Sequence, residues 1–580
     1  MKSHLFNVQV RSREMLKAAS AQNWIKAGAW SICLGIALLE LWSGRFYTNP
    51  DAVSYLDLSD GLLTNNWGTL VNTYWSPLYP FLIGTARWII HPNAYWELPV
   101  VHLTNFVIFL GALAAFEFFL IQVVRSQKQY DEPQHTEQLL PLSASMWTLL
   151  GYSLFAWSTF WMINVQVVTP DLCVAVCIYL DAGLMLRLRA GCKQIPTFIF
   201  LGVTLGLGYY AKAALFPMAF AFMVTALLVA GGWKKAALPS LLMFLVFAGV
   251  TAPLVIATSE SAGHLTFGES GSNAYARLVG GEQTLPFYPS TPPPYLIHPL
   301  SKIHRAPDVY EFSHPFSVTY PLWYEVSYWD SGYKTRFDLG AQLRVLRQNV
   351  TILFVILVLR MAGPIVCFLF LLGCSSSRRF WKFSMGLPLI IPSAIGIVMY
   401  SFVLMESRYI AAFAVLVWMG LLSEIRFRKT PRTMRLATTG AVVFASCLIF
   451  ATASSSAKDL VTPLPQHLDG RYYYQVGKAL SAEGVQSGQA VAIIGSGFDE
   501  MRWARSAKLR IVAQIPPECA DEFWRTSVPS VKAEVYAAVA RAGATAVVTD
   551  ETPPSGGFAD WQRVGNTKYY VHLLAPAASK

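Results

Sequence analysis

Stretches of about 17–25 apolar residues, each long enough to cross a roughly 30 Å hydrocarbon core, recur from Ala27 to Ala453. That recurrence predicts a polytopic all-α membrane protein of about eleven transmembrane helices. The spans are placed at 27–43, 98–124, 141–163, 170–188, 196–211, 213–231, 237–258, 349–373, 385–404, 409–424 and 436–453. Charge supports this class: only 14% of the 580 residues are charged, against about 25% in soluble domains. No small-residue cleavage site follows the first apolar stretch, so it is read as a retained span.

The net charge of +11 is topological. Lys and Arg gather in KSHLFNVQVRSREMLK, RLRAGCK, GWKK, SSSRRFWK and RFRKTPRTMR, short segments between apolar runs. Such clusters stay on the cytoplasmic side. With the N-terminus inside, all of them fall there. No basic face interleaves with aromatics as a nucleic-acid groove requires, so nucleic acid is not an expected partner. One apolar stretch, SPLYPFLIGTARWII (76–90), inverts the parity if it spans. Its prolines and its flanking Trp75 and Trp88 fit an interfacial or re-entrant helix instead.

This topology puts three segments outside: a loop at 44–97, a large loop at 259–348, and a tail. The chain thus divides into a membrane domain, 1–454, and a small soluble α/β domain, 455–580. In the tail, QAVAIIGSG, LRIVAQI, ATAVVTD and KYYVHLLA read as strands, and FDEMRWARSA and VKAEVYAAVARAG as helices. GSG at 495–497 begins a dinucleotide fingerprint, but Glu500 stands where the third glycine belongs; a tight strand-to-helix turn suffices. Among the eight cysteines there is no CxxC pair. Cys173 and Cys177, one turn apart on an apolar helix, read as buried thiols.

Chemistry centres on the first outer loop, where NPDAVSYLDLSD follows the first span. Asp51 is either a helix N-cap or a general base at the membrane surface, and the two roles are compatible. The second outer loop holds GHLTFGESGSNAYARLVGG, STPPPY and TYPLWYEVSYWDSGYKTRFD, rich in Tyr, Trp, Pro and Gly. Its aromatics suit sugar faces or the membrane interface. Taken as residues alone, Lys212 reads as an interfacial lysine and Arg408 as a partner of Glu406. Asp171 is a second acidic site residue or the cap of its span. Taken as residues alone, Glu325 and Asp330 read as solvated loop carboxylates, and His264 as a loop histidine or a ligand.

Asp51 with Tyr55, then WSPLYPFLIG, TPDLCVAVCIYLDAGLMLRLR (169–189), GLGYYAKAALFP (206–217) and ESRYIAAF (406–413), resembles the GT-C superfamily of membrane glycosyltransferases. Protein O-mannosyltransferases and the aminoarabinose transferases of lipid A share this layout, and the resemblance covers most of 27–425. It implies transfer, outside a bacterial cytoplasmic (inner) membrane, from a polyprenyl-phosphate-linked sugar to a glycan, lipid or protein acceptor. On that reading Asp51 is the general base. Ala52 replaces the second member of the family's acidic pair, and Asp57, almost two helical turns on and on a similar face, is a reserve. Lys212 and Arg408 neutralise the leaving lipid phosphate, and Tyr55, Asp171, His264, Glu325, Tyr328, Trp329 and Asp330 line the substrate cleft. No cofactor is implied beyond a divalent cation in some superfamily members, and no HExxH or DxDxDG motif is present to hold one. The alternative is a transporter or flippase of an envelope precursor, but few charges lie within the spans and no half-to-half repeat is visible.

Overall fold

The computed structural model describes residues 2–129, 139–191, 195–231, 233–282, 295–375, 386–525, 528–554 and 560–575. The segments around Cys192 and Gly232, most of SSSRRFWK, and STPPPY apart from Tyr295 lie outside these residues.

A long helix α1 (Lys2–Ser43) opens the chain, followed by a pair, α2 (Pro50–Leu63) and α3 (Leu78–Ile90). Then come α4 (Glu97–Gln129), a two-residue strand β1 (Leu139–Leu140), and α5 (Ala144–Ala156), prolonged by a π-turn to Ile163. Helices α6 (Asp171–Arg189), α7 (Ile195–Ala211), α8 (Leu215–Val229) and α9 (Trp233–Ala262) follow. Among the described residues, five helices, including α1, α4 and α9, contain a stretch long and apolar enough to cross a membrane; α7 and α8 are shorter apolar helices. A Cβ at Gly202 of α7 would lie 2.5 Å from the Met243 carbonyl oxygen of α9, so only glycine lets the two backbones meet.

The segment after α9 contains α10 (Ser270–Leu278), strands β2 (Ser301–His304) and β3 (Val309–Glu311), and two single turns, α11 (Pro321–Tyr324) and α12 (Val326–Trp329). The span expected at 349–373 is bent. Helix α13 (Leu339–Phe354) passes through a π-turn, breaks at Arg360–Met361 and resumes as α14 (Ala362–Cys374). Pro364 has no N–H to return to Arg360, so the ladder stops there and restarts with proline in a first turn. Helices α15 (Leu387–Ser401) and α16 (Ser407–Leu422), strand β4 (Phe427–Arg428) and α17 (Pro431–Val461) complete the bundle. Thr430 and Thr433 form a capping box at the start of α17. The segment expected to be interfacial is α3, 13 residues long, packed on α2 and ended by His91 in the left-handed region at φ 52°.

The tail alternates as its pattern predicts: α18 (Gly470–Ala482), β5 (Ala490–Ile494), α19 (Gly497–Ala507), β6 (Arg510–Ile515), α20 (Pro517–Arg525), α21 (Pro529–Arg541), β7 (Ala544–Thr549), β8 (Gln562–Arg563) and β9 (Tyr570–Leu573). GSG is a strand-to-helix turn, with Gly495 at φ +117° and Ser496 accepting from the Asp499 N–H. Seven strands order as β2-β3-β6-β5-β7-β9-β8, parallel at β6-β5-β7 and antiparallel outside. The sheet therefore reaches beyond 455–580: β2 and β3 come from the 259–348 segment, and Tyr310 pairs with Gln514 of β6.

Candidate active site

Helix α2 begins at Pro50, whose fixed φ suits a first helical turn, and this puts Asp51 at the open N-terminal end. Asn49 makes no side-chain cap, so the Asp51 carboxylate adds favourable charge there. Three further chain segments bring partners to it. Arg408, in the first turn of α16, places Nη2 3.9 Å from Asp51 Oδ2 and Nε 3.7 Å from Asp171 Oδ2. Lys212, in the short link between α7 and α8, donates from Nζ to Asp171 Oδ1 at 2.8 Å. The order is Asp51, Arg408, Asp171, Lys212, with alternating sign and no net charge.

Burial is graded across this chain. The Asp171 side chain is 1% exposed, whereas Lys212, Arg408 and Asp51 keep 20–23%. A carboxylate buried this deeply demands cations beside it, and Lys212 and Arg408 supply them. Asp171 stands at the first position of α6, and its side chain serves these cations rather than capping the helix. Tyr409 packs between the cations: Lys212 Nζ lies 3.5 Å and Arg408 Cζ 5.2 Å from its ring centre. A cation over a tyrosine face is held with little loss of its hydrogen-bonding capacity.

Aromatic side chains form the rest of the wall. Tyr55, one turn after Asp51, packs edge-on against Trp75 and Tyr79 at 5.1 and 5.0 Å. Trp323 accepts at its carbonyl from Ser54 Oγ (2.9 Å) and Trp75 Nε1 (3.1 Å). Its buried indole N–H makes no hydrogen bond among the described residues, and its nearness to Asp51 favours the ionised carboxylate. Burial nevertheless prevails and raises the Asp51 carboxyl above its ordinary range, Arg408 being the largest opposing effect. A carboxyl raised in this way is better matched to taking a proton near neutral pH.

The structure thus brings together Asp51, Asp171, Lys212, Arg408 and Tyr55. It places Asp57 elsewhere. Six residues of α-helix are 600° of rotation, a third of a turn away from Asp51's face, and not a similar face. Asp57 binds Thr319 and Arg505. Arg408 pairs with Asp51 and Asp171 rather than Glu406. His264 is exposed and meets Glu269 at 3.1 Å. Glu325 is buried and accepts from Thr73 N (3.0 Å) and Thr73 Oγ1 (2.8 Å); burial pushes its carboxyl up to about 7. Tyr328 stacks on His298 at 3.8 Å, Trp329 donates to the Pro321 carbonyl at 3.0 Å, and Asp330 is buried beside them. These four belong to the aromatic segment beside the site. Tyr409 and Trp323 were not expected, although both lie in quoted motifs; an Arg-Tyr or Leu-Trp pair in sequence does not say which ring meets a charge.

Among the described residues no group of three His, Cys, Asp or Glu could ligate a metal ion. Asp51 and Asp171 already face Arg408 and Lys212, so the residues present do not fit a resident divalent cation.

No known family signature matches the sequence, and no curated protein matches it. Among solved structures, ArnT from Cupriavidus metallidurans bound to undecaprenyl phosphate aligns over 96% of this chain and 99% of that one, with TM-score 0.55 and 10% identity. An Archaeoglobus fulgidus oligosaccharyltransferase in complex with zinc and sulfate covers 91% of this chain and 68% of its own, at 0.47 and 14%. The polytopic, mostly helical chain therefore shares its fold with that ArnT structure along nearly its whole length.

Proposed function

We propose that this protein is an integral membrane glycosyltransferase that moves a sugar from a polyprenyl-phosphate-linked donor to an acceptor on the outer side of a bacterial cytoplasmic membrane. The observation that carries it is the alternation Asp51–Arg408–Asp171–Lys212 at the end of the bundle that bears the α/β domain. The ArnT structure that shares the fold contains undecaprenyl phosphate, which supports a lipid phosphate as the leaving group.

In the transfer, the bond from the sugar C1 to the phosphate oxygen breaks and a bond from C1 to the acceptor oxygen or nitrogen forms. The acceptor proton passes to Asp51. Lys212 and Arg408 meet the charge that develops on the departing lipid phosphate, preorganised by Asp171, so little reorganisation accompanies bond cleavage. The aromatic segment containing Glu325, Tyr328, Trp329 and Asp330 walls the acceptor side, and Tyr55 holds Trp75 and Tyr79 against α2.

The test is a membrane assay offering radiolabelled polyprenyl-phosphate sugars to wild type and Asp51→Asn. Loss of a general base lowers the rate by about 10²–10⁴-fold. Undiminished transfer by the variant removes Asp51 from the chemistry; movement of lipid-linked sugar without a covalent product removes the enzyme class.

A further inference from the structure

Away from the four-residue alternation, a second charged cluster lies between α2 and the α/β domain. Arg505 of α19 donates to Asp57 Oδ1 at 2.6 Å, to both Asp60 oxygens at 2.5 and 3.0 Å, and to Glu97 Oε1 at 2.8 Å. Arg87 of α3 meets Asp60 and Glu97 at 2.7 Å each, and Lys508 meets Glu97 at 2.5 Å. Three carboxylates and three cations balance. Arg505, Arg87, Asp57 and Glu97 are at most 8% exposed. Apolar side chains of similar volume would join two surfaces at lower desolvation cost, and buried ionic groups are best attested as devices that fix register. Here the register is that of α2: Asp57 and Asp60, three residues apart, present one face to Arg505, while Asp51, a third to a half of a turn round the helix from them, reaches Arg408.

The same helix reaches Asp51 by a second route. Phe498, in the first turn of α19, packs edge-on to Trp323 at 4.7 Å. Trp323 is the residue whose carbonyl holds Ser54 of α2 and whose indole lies near Asp51.

We propose that α19 of the C-terminal domain is a positioning element of the transfer site, Arg505 fixing the rotation of α2 and Phe498 fixing Trp323, so that the soluble domain is part of the frame that aims Asp51. The inference rests on the transfer reading for its consequence, but the positioning itself is read separately.

The experiment uses the full chain in lipid nanodiscs. Arg505→Gln combined with Asp57→Asn removes one charge of each sign, so no uncompensated ion is left to unfold the protein, and Arg505→Lys is the conservative companion. Three quantities are read: hydrogen exchange of α2 (50–63) and of β5 (490–494), binding of undecaprenyl phosphate, and sugar transfer. The double variant is expected to exchange at least about tenfold faster in α2 with β5 unchanged. It is expected to keep wild-type undecaprenyl phosphate binding, because Lys212 and Arg408 lie outside α2, and to lose transfer in kcat. Arg505→Lys is expected to recover part of both. Unchanged exchange in α2, or equal acceleration in α2 and β5, overturns the proposal. Selective loosening of α2 in a protein whose wild type transfers none of the sugars offered sustains the positioning and refutes the transferase reading instead.

Discussion

Arg408 stands between two carboxylates, and its replacement by glutamine tests the assignment of the base. Burial raises the Asp51 carboxyl, Arg408 is the largest influence holding it down, and Lys212 is the smallest of the named ones. At 3.9 Å a pair of unit charges is worth about 4 kcal/mol at an effective dielectric of ~20. Both side chains remain about one-fifth exposed, and water enters the space a shorter glutamine leaves. The net effect on Asp51 is therefore an upward move, damped by that water, because the largest influence holding the carboxyl down is gone. The base must be ionised to act, so its ionisation sets the acidic limb of kcat/KM for the free enzyme. Arg408→Gln is expected to move that limb to higher pH, beyond its general loss of rate. Lys212→Gln should move it by clearly less than Arg408→Gln does, its influence on Asp51 being the smaller. The assay is transfer of a radiolabelled polyprenyl-phosphate sugar at subsaturating donor across the pH range. A limb that stays in place in Arg408→Gln, or moves equally in both variants, refutes the reasoning.

Lys212→Met should weaken binding of undecaprenyl phosphate by about 10–100-fold, the worth of a charge-assisted hydrogen bond, whereas Asp51→Asn should leave it unchanged; titration of each variant with the lipid decides. Gly202→Val forces α7 from the Met243 carbonyl and should cost about 1–3 kcal/mol, seen as earlier thermal aggregation in detergent; an unaltered profile denies the α7–α9 contact. Glu325 has a folded-state value of about 7 against an ordinary 4.5, so the folded protein binds the extra proton between these values. This contribution to stability is fully present below pH 4.5 and falls as pH rises towards 7. Glu325→Gln should flatten that slope by up to about 3 kcal/mol, read as the difference between wild-type and variant unfolding midpoints at the two ends; parallel curves contradict it.

The bundle was legible because a helix in lipid must be apolar along its length, and the apolar runs say where. The tail was legible for a different reason: QAVAII, LRIVAQI and ATAVVT are short, β-branched and punctuated by Gly, and helices fall between them. Asp51, Lys212 and Arg408 could be named singly, from motifs at span ends. Their connection through Asp171 stayed open because a span-opening Pro-Asp looks the same whether the carboxylate caps a helix or holds two cations. Asp57 was put on the wrong face by counting turns instead of degrees. Arg505 carries no signal at all: it lies 448 residues from Asp57, and an arginine in an amphipathic helix reads as solvated. Likewise SKIH and VYE are too short and too mixed to announce strands.

Those two short strands have a consequence for how the molecule is made and handled. Strand β6 emerges about two hundred residues after β3 and, until they meet, has a free edge on that side. RIVAQI is a central strand in the finished sheet, with Ile511, Val512, Ala513 and Ile515 buried. Cut the chain before Gly470 and the freed domain keeps β6 but loses its neighbour, leaving an apolar row of unpaired amides and carbonyls ready to pair with another copy. The soluble part is thus separable on paper only: a fragment that stays monomeric needs residues 301–311 stitched back beside β6.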